Sequence, residues 1–178
     1  MKSIGRKVKE FCFKRQRKKL KRDRKLVNLA DAENIGILYD ASNEDDYIYI
    51  TKLVRDLQVE HKKVKTIGFI RQKKMPSYGF PKLTFEFCNK KDFKWNFNPK
   101  QQVIKEFIEF PFDILIDLTP SDIFQMKYLS ALSKAGLIIG RYDEQWKDYY
   151  DILIKEKNNC KLEEMVNHYF HYLKMLKN

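Results

Sequence analysis

Short apolar runs alternating with amphipathic stretches constrain the fold of this chain more than any other feature. The runs are Ile35–Tyr39, Val64–Ile70, FDILIDLT at 112–119, Leu137–Ile139 and Asp151–Ile154. Each is too short for a stable helix and apolar on both of its faces, as a parallel strand must be when helices cover a sheet on both sides. The stretches between them read as helices. Ser42 or Asn43 can cap one that opens on Glu44-Asp45-Asp46 and carries Tyr47, Ile50, Leu53, Val54 and Leu57 on one side. Asn98 and Pro99 suit the N-cap and first position of another, with Val103, Ile104, Phe107 and Ile108 inward and Pro111 closing it. A third opens at Thr119-Pro120-Ser121 and is expected to end at Gly136 in a left-handed conformation. The last shows Leu162, Met165, Val166, Tyr169, Leu173 and Leu176 on one stripe. The expected fold is a single doubly wound, mostly parallel α/β sheet, Rossmann-like or flavodoxin-like.

One stretch breaks the rhythm. LTFEFCNKKDFKWNF, residues 83–97, alternates with period two, so Leu83, Phe85 and Phe87 share one face and Phe93, Trp95 and Phe97 another. It reads as a β-hairpin turning at 88–92 inside an inserted loop spanning 72–99. Its rings, with Tyr78, Phe80 and the lysines at 90, 91 and 94, are the mixture that stacks on unpaired bases. The plainer reading is that the ring face packs on the domain.

The charge is concentrated at one end. Of 36 Lys and Arg in 178 residues, thirteen fall in the first 25, against only Glu10 and Asp23; the remaining 23 face 22 carboxylates. The chain therefore divides into a basic N-terminal helix or arm, 1–30, and a near-neutral α/β domain, 31–178. In the arm, Ile4, Val8, Phe11, Leu26 and Leu29 lie on one helical stripe, but Arg15, Lys18, Lys19 and Arg22 occupy its middle. Like charges at these spacings repel, so the segment is expected to order best against a polyanion, with no protein surface to bury its centre against. Phosphate contacts are accordingly assigned to Arg6, Lys7, Lys14, Arg15, Arg17, Lys18, Lys19, Lys21, Arg22, Arg24 and Lys25, and to Lys90 and Lys91 on the hairpin turn.

KKDFKW in the hairpin, FDILIDL in the central strand, SALSKAG in the following helix and the closing YDILI strand together resemble a family of small uncharacterised bacterial proteins of the Bacteroidota, a domain of unknown function. The likeness covers roughly residues 20–175. It implies a bacterial cytoplasmic protein and transfers no activity and no site residue. The stretch from Phe112 to Arg141 also looks like the strand-helix-strand in the N-terminal half of lipopolysaccharide heptosyltransferases. Those enzymes hold a sugar nucleotide between two Rossmann-like domains. This chain has room for one, so the likeness supports the fold and argues against the enzyme.

Signatures of chemistry are sparse. No GxxxxGK[ST], GxGxxG or GxSxG occurs, so neither a phosphate-cradling loop nor a nucleophile elbow is expected. In a doubly wound sheet ligands sit at the carboxyl ends of strands where the strand order reverses, which points to Asp40, Ser42, Asn43, Asp117, Thr119 and Asp122. Two such aspartates can hold Mg²⁺ or share a proton; the plainer reading makes them strand ends and helix caps. His168 and His171 are spaced for metal binding on a helix, but no third donor is identifiable, so no metal and no cofactor are expected. Cys12, Cys88 and Cys160 are scattered, without a pairing pattern, which suits a reducing cytoplasm without disulfides. The acid-poor amino terminus is composed like a transit peptide but is expected to be retained, and no apolar run is long enough to span a membrane.

The functional expectation is a non-enzymatic RNA-binding protein associated with ribosomes. Its arm lies on ribosomal RNA and its body sits beside neighbouring ribosomal proteins. The alternatives are a small α/β enzyme or nucleotide-binding regulator using Asp40 and Asp117, and a peripheral protein holding an anionic membrane surface with its arm, Phe11 and Phe13 inserted.

Overall fold

Six strands, β1 (Asn34–Asp40), β2 (Lys63–Ile70), β3 (Phe85–Asn89), β4 (Ile114–Asp117), β5 (Leu137–Arg141) and β6 (Ile152–Ile154), form one sheet in the computed structural model. The structure describes residues 4–80, 82–157 and 160–177, with the side chains of 4–10 and of residue 19 excepted. Every strand pair is parallel, and the order is β3-β2-β1-β4-β5-β6. Order therefore reverses between β1 and β4, as in doubly wound dinucleotide-binding sheets.

Helices α2 (Glu44–Val59) and α5 (Leu162–Met175) pack on one face, with Ile35, Ile37, Ile114 and Ile116 beneath them. Helices α3 (Gln102–Glu109) and α4 (Phe124–Leu132) pack on the other, over Leu38, Leu115 and Ile138. Alternate residues of each strand thus enter different cores, which is why the strands read as continuous apolar runs. Asn43 caps α2 as expected, accepting from the Asp45 N–H at 3.0 Å, while Ser42 turns back to Asp40.

Three local expectations fail for identifiable reasons. The expected hairpin does not form. Its first half is β3, which pairs in parallel with β2 and buries Phe85 and Phe87 under α2. After β3, Asn89 and Asp92 cap each other's backbone N–H groups around the short 3₁₀ turn Lys90–Asp92, and this reciprocal cap turns the chain away from the sheet edge. Residues 93–101 continue as a loop, held by Lys94 N–H to the Asn98 carbonyl at 2.8 Å. Helix α3 begins at Gln102 rather than after Asn98, because the Asn98 side chain is engaged by Gln16 and Tyr128. Gly136 is not left-handed; instead it allows close approach, since a Cβ there would sit 3.2 Å from the Asp113 carbonyl.

The basic segment is also more integrated than its charge predicts. Helix α1 (Ile4–Lys19) packs on α4, and Phe13, on the side opposite Phe11, enters the core between Tyr128, Trp146 and Tyr149 at 5.1–5.7 Å between ring centroids. From Leu20 the chain runs as an extended strap across the amino ends of the strands. Lys25 N–H donates to the Gly136 carbonyl just before β5, and Glu33 and Asn34 N–H groups donate to Asp113 just before β4. Leu29 N–H bonds the Leu173 carbonyl of α5, so the strap passes from one face of the sheet to the other. Among the described residues no helix is long and apolar enough to cross a membrane.

Candidate functional site

The strap, α1, α3 and α4 enclose a groove of about 730 Å³. Its floor is polar: Gln16 donates to the Asn98 side-chain oxygen at 2.9 Å, and the Tyr128 hydroxyl bonds both Asn98 and Gln16. Its rim is cationic. Lys21 comes from the strap, Lys94 from the loop after β3, Lys105 from α3 and Lys134 from the turn after α4. Glu109 is the carboxylate on this rim and is taken by Lys134 at 2.5 Å. Among the described residues no carboxylate pairs with Lys21, Lys94 or Lys105, so the groove presents net positive charge to solvent. A cleft lined by one sign of charge focuses the field and concentrates counter-ions.

The residues assigned to phosphate contact from sequence divide into three groups. Lys14, Arg15, Lys18, Lys21, Arg24, Lys25, Lys90 and Lys91 are exposed. Arg6, Lys7 and Lys19 have side chains outside the described residues. Arg17 and Arg22 are turned inward. The Arg17 guanidinium lies 6.0 Å from the Tyr149 ring centroid, and burial, then Arg22 and Arg24, pull its pKa down. The Arg22 side chain is only 2% exposed; its Nε donates to the Ala135 carbonyl at 2.6 Å, its Nη2 to the Gly136 carbonyl at 3.0 Å, and it pairs with Asp151. Arg22 therefore fastens the strap and is not a free phosphate ligand. Lys105 and Lys134 were missed because only the packing of α1, α3 and α4 brings them beside Lys21.

The expected aromatic platform is largely core. Phe85, Phe87 and Phe93 are buried, Phe97 stacks on Phe124, and Tyr78 stacks on Tyr47 with ring centroids 5.0 Å apart. Trp95 and Phe80 remain exposed, and Trp95 follows Lys94 of the groove.

At the switch point the two aspartates have different fates. Asp117 is fully buried and accepts five hydrogen bonds: from the Thr119 N–H and hydroxyl at 2.9 and 2.5 Å, the Tyr150 hydroxyl at 2.5 Å, Ser130 at 2.8 Å and the buried Lys127 at 3.1 Å. Burial pushes this carboxyl up, but Lys127 and the bonds from Thr119 and Tyr150 outweigh it and the net direction is down. Gly140 makes room for the arrangement, since a Cβ there would meet the Tyr150 ring at 2.5 Å. With every oxygen saturated by the core, Asp117 organises the fold and is closed to a ligand. Asp40 accepts from Ser42 and from Arg71, whose other nitrogens reach Asp122 at 2.6 and 3.0 Å. Hydrogen bonding to Arg71 lowers the Asp122 pKa. A cavity of about 310 Å³ lies beside this network, between Asp40, Asp46, Arg141 and the start of α5. Burial, then Asp40 and Asp45, push the Asp46 carboxyl up.

His168 does have further donors near it, contrary to the reading from spacing. Its Nδ1 lies 3.0 and 3.2 Å from the two oxygens of Glu156, and Cys160 completes a cluster with them. His171 instead faces the Tyr172 ring edge. The signal in the sequence, Glu156, Cys160 and His168 at separations of four and eight, becomes visible only when Glu156 and Cys160 come to lie beside α5.

A family model described as a family of unknown function, DUF6913, matches residues 6–176. The chain belongs to this family. The match runs from α1 to the end of α5, so the basic segment lies within the same family unit as the sheet. No curated protein and no solved structure matches the chain.

Proposed function

We propose that the protein is a non-enzymatic RNA-binding protein of the bacterial cytoplasm that docks on ribosomal RNA, next to ribosomal proteins. The observation that carries this reading is the groove: four lysines from four separate elements converge on it, and one carboxylate opposes them. The exposed cations of α1 and the strap extend this surface beyond the groove, and Trp95 offers a ring for an unpaired base beside Lys94. A polyphosphate backbone satisfies many separated cations at once through counterion release, and a small anion does not. The enzyme alternative is weakened by the closure of Asp117. The membrane alternative is weakened because Phe13 is committed to the core, leaving Phe11 alone at 67% exposure.

The test is salt-dependent binding of the intact chain to ribosomes and to ribosomal RNA. Replacing Lys21, Lys94 and Lys105 together by Ala should lower the slope of log K against log salt by roughly 2 to 3, from about 0.7 to 0.9 per phosphate contact. An unchanged slope, or binding to anionic vesicles in preference to RNA, overturns the reading. Point variants are needed because deleting residues 1–25 also removes Phe13 and Arg22, which the fold uses.

A further inference from the structure

The loop leaving β6 carries Glu156 and Cys160, and α5 carries His168; the donor atoms of all three lie within 4.8 Å of one another. The Glu156 side chain is 1% exposed, whereas His168 is 56% exposed. A carboxylate withdrawn this far from water needs hydrogen-bond donors or a cation beside it. A thiolate, an imidazole and a carboxylate together are the donor set of borderline-soft divalent ions. Donors bound tetrahedrally at zinc distances are about 3.3 to 3.6 Å apart. The Glu156–His168 separations of 3.0 and 3.2 Å are close to that spacing, and Cys160 is near enough to join by side-chain rotation.

A second observation marks the same place. The Tyr169 hydroxyl, on the residue after His168, and the Arg141 Nε are buried without a hydrogen-bond partner among the described residues. Arg141 and Cys160 both line the switch-point cavity. The cluster thus borders polar space that the surrounding side chains leave unfilled.

We propose that Glu156, Cys160 and His168 form a binding site for a single zinc-class divalent metal ion at the edge of the switch-point cavity. Three protein donors leave one tetrahedral position for water or for a small ligand from the cavity, the arrangement that separates open sites from closed structural ones. The proposal is independent of RNA binding, because the groove lies on the α3–α4 side of the sheet.

The experiment uses the tag-free, chelator-stripped full chain titrated with Co²⁺. A thiolate-to-cobalt charge-transfer band saturating at one equivalent, and displaced by Zn²⁺, is the expected result. Cys160→Ser should abolish the band, and Glu156→Gln and His168→Gln should each weaken binding at least roughly tenfold. Cys12→Ser and His171→Gln should leave it unchanged. Absence of the band in the wild type, or its persistence in Cys160→Ser, overturns the site in favour of a plain Glu156–His168 ion pair. Should Cys160→Ser unfold, as judged by circular dichroism, the exposed His168→Gln decides: undiminished cobalt affinity in that variant also overturns the proposal.

Discussion

Arg22 offers the sharpest test of how the basic segment is divided between fold and ligand. Replacing it with Met keeps most of the aliphatic stem and removes the guanidinium. Three acceptors then each lose one donor: the Ala135 carbonyl, the Gly136 carbonyl, which keeps the Lys25 N–H, and Asp151. Leaving one partner of a buried ion pair alone costs about 3 to 5 kcal/mol. Asp151 is 14% exposed, still accepts from the Ile138 N–H at 2.7 Å and keeps Arg24 at 3.5 Å, so the cost falls towards about 2 to 4 kcal/mol. In a chain of 178 residues, 3 kcal/mol lowers Tm by roughly 6 to 12 °C. The assay is urea unfolding followed by circular dichroism, with Lys21→Ala as the exposed control. An Asp151→Asn background should absorb much of the loss, since the two groups are in contact and their effects are coupled. If Arg22→Met stays within about 0.5 kcal/mol of the Lys21→Ala control, the strap is not fastened by this residue and the reasoning fails. Where the variant remains folded, its salt slope for RNA should match the wild type, because the guanidinium is not presented to solvent.

Two further outcomes follow from the cores. Phe13→Ala should cost about 3 kcal/mol in chemical unfolding, whereas Phe11→Ala, two residues earlier but exposed, should stay within about 0.5 kcal/mol; equal effects would mean that α1 does not pack as described. Asp117→Asn should destabilise by about 3 to 5 kcal/mol by leaving Lys127 buried and unpaired. Because the folded Asp117 pKa lies below its unfolded value, its contribution is complete above the unfolded pKa and disappears as pH falls through the folded one. Acid unfolding of the wild type should therefore include a stability loss over that window that Asp117→Asn lacks. A variant as acid-sensitive as the wild type contradicts this.

The sheet was legible because burial on both faces leaves a pattern that needs no knowledge of partners: Ile35–Tyr39 and Ile114–Ile116 are apolar whichever side they face. The edge was not. Phe85 and Phe87 alternate like one arm of a hairpin, and only pairing with β2 distinguishes a parallel edge strand from an antiparallel one. Cap residues were readable where they act locally, as at Asn43, and misleading where they are recruited from a distance, as Asn98 is by Tyr128. The same limit applies to the candidate sites. Exposed cations such as Lys14 and Lys18 follow from local composition, but the burial of Arg22 depends on residues more than a hundred positions away. The groove lysines and the Glu156–Cys160–His168 cluster are likewise products of packing, in which no single short segment carries the signal.

The strap also fixes an order of events during synthesis. Arg22 meets Asp151 across 129 residues of chain, and at 5 to 20 residues per second that interval is roughly 6 to 26 s on the ribosome. Throughout it the basic segment has emerged while the strand ends that will hold it have not. Closing so distant a contact is slow in entropic terms, so it belongs to the last stage of folding. A polyanion that captures Arg22 in that window competes with completion of the domain; one that arrives afterwards meets only the cations the finished fold leaves outside.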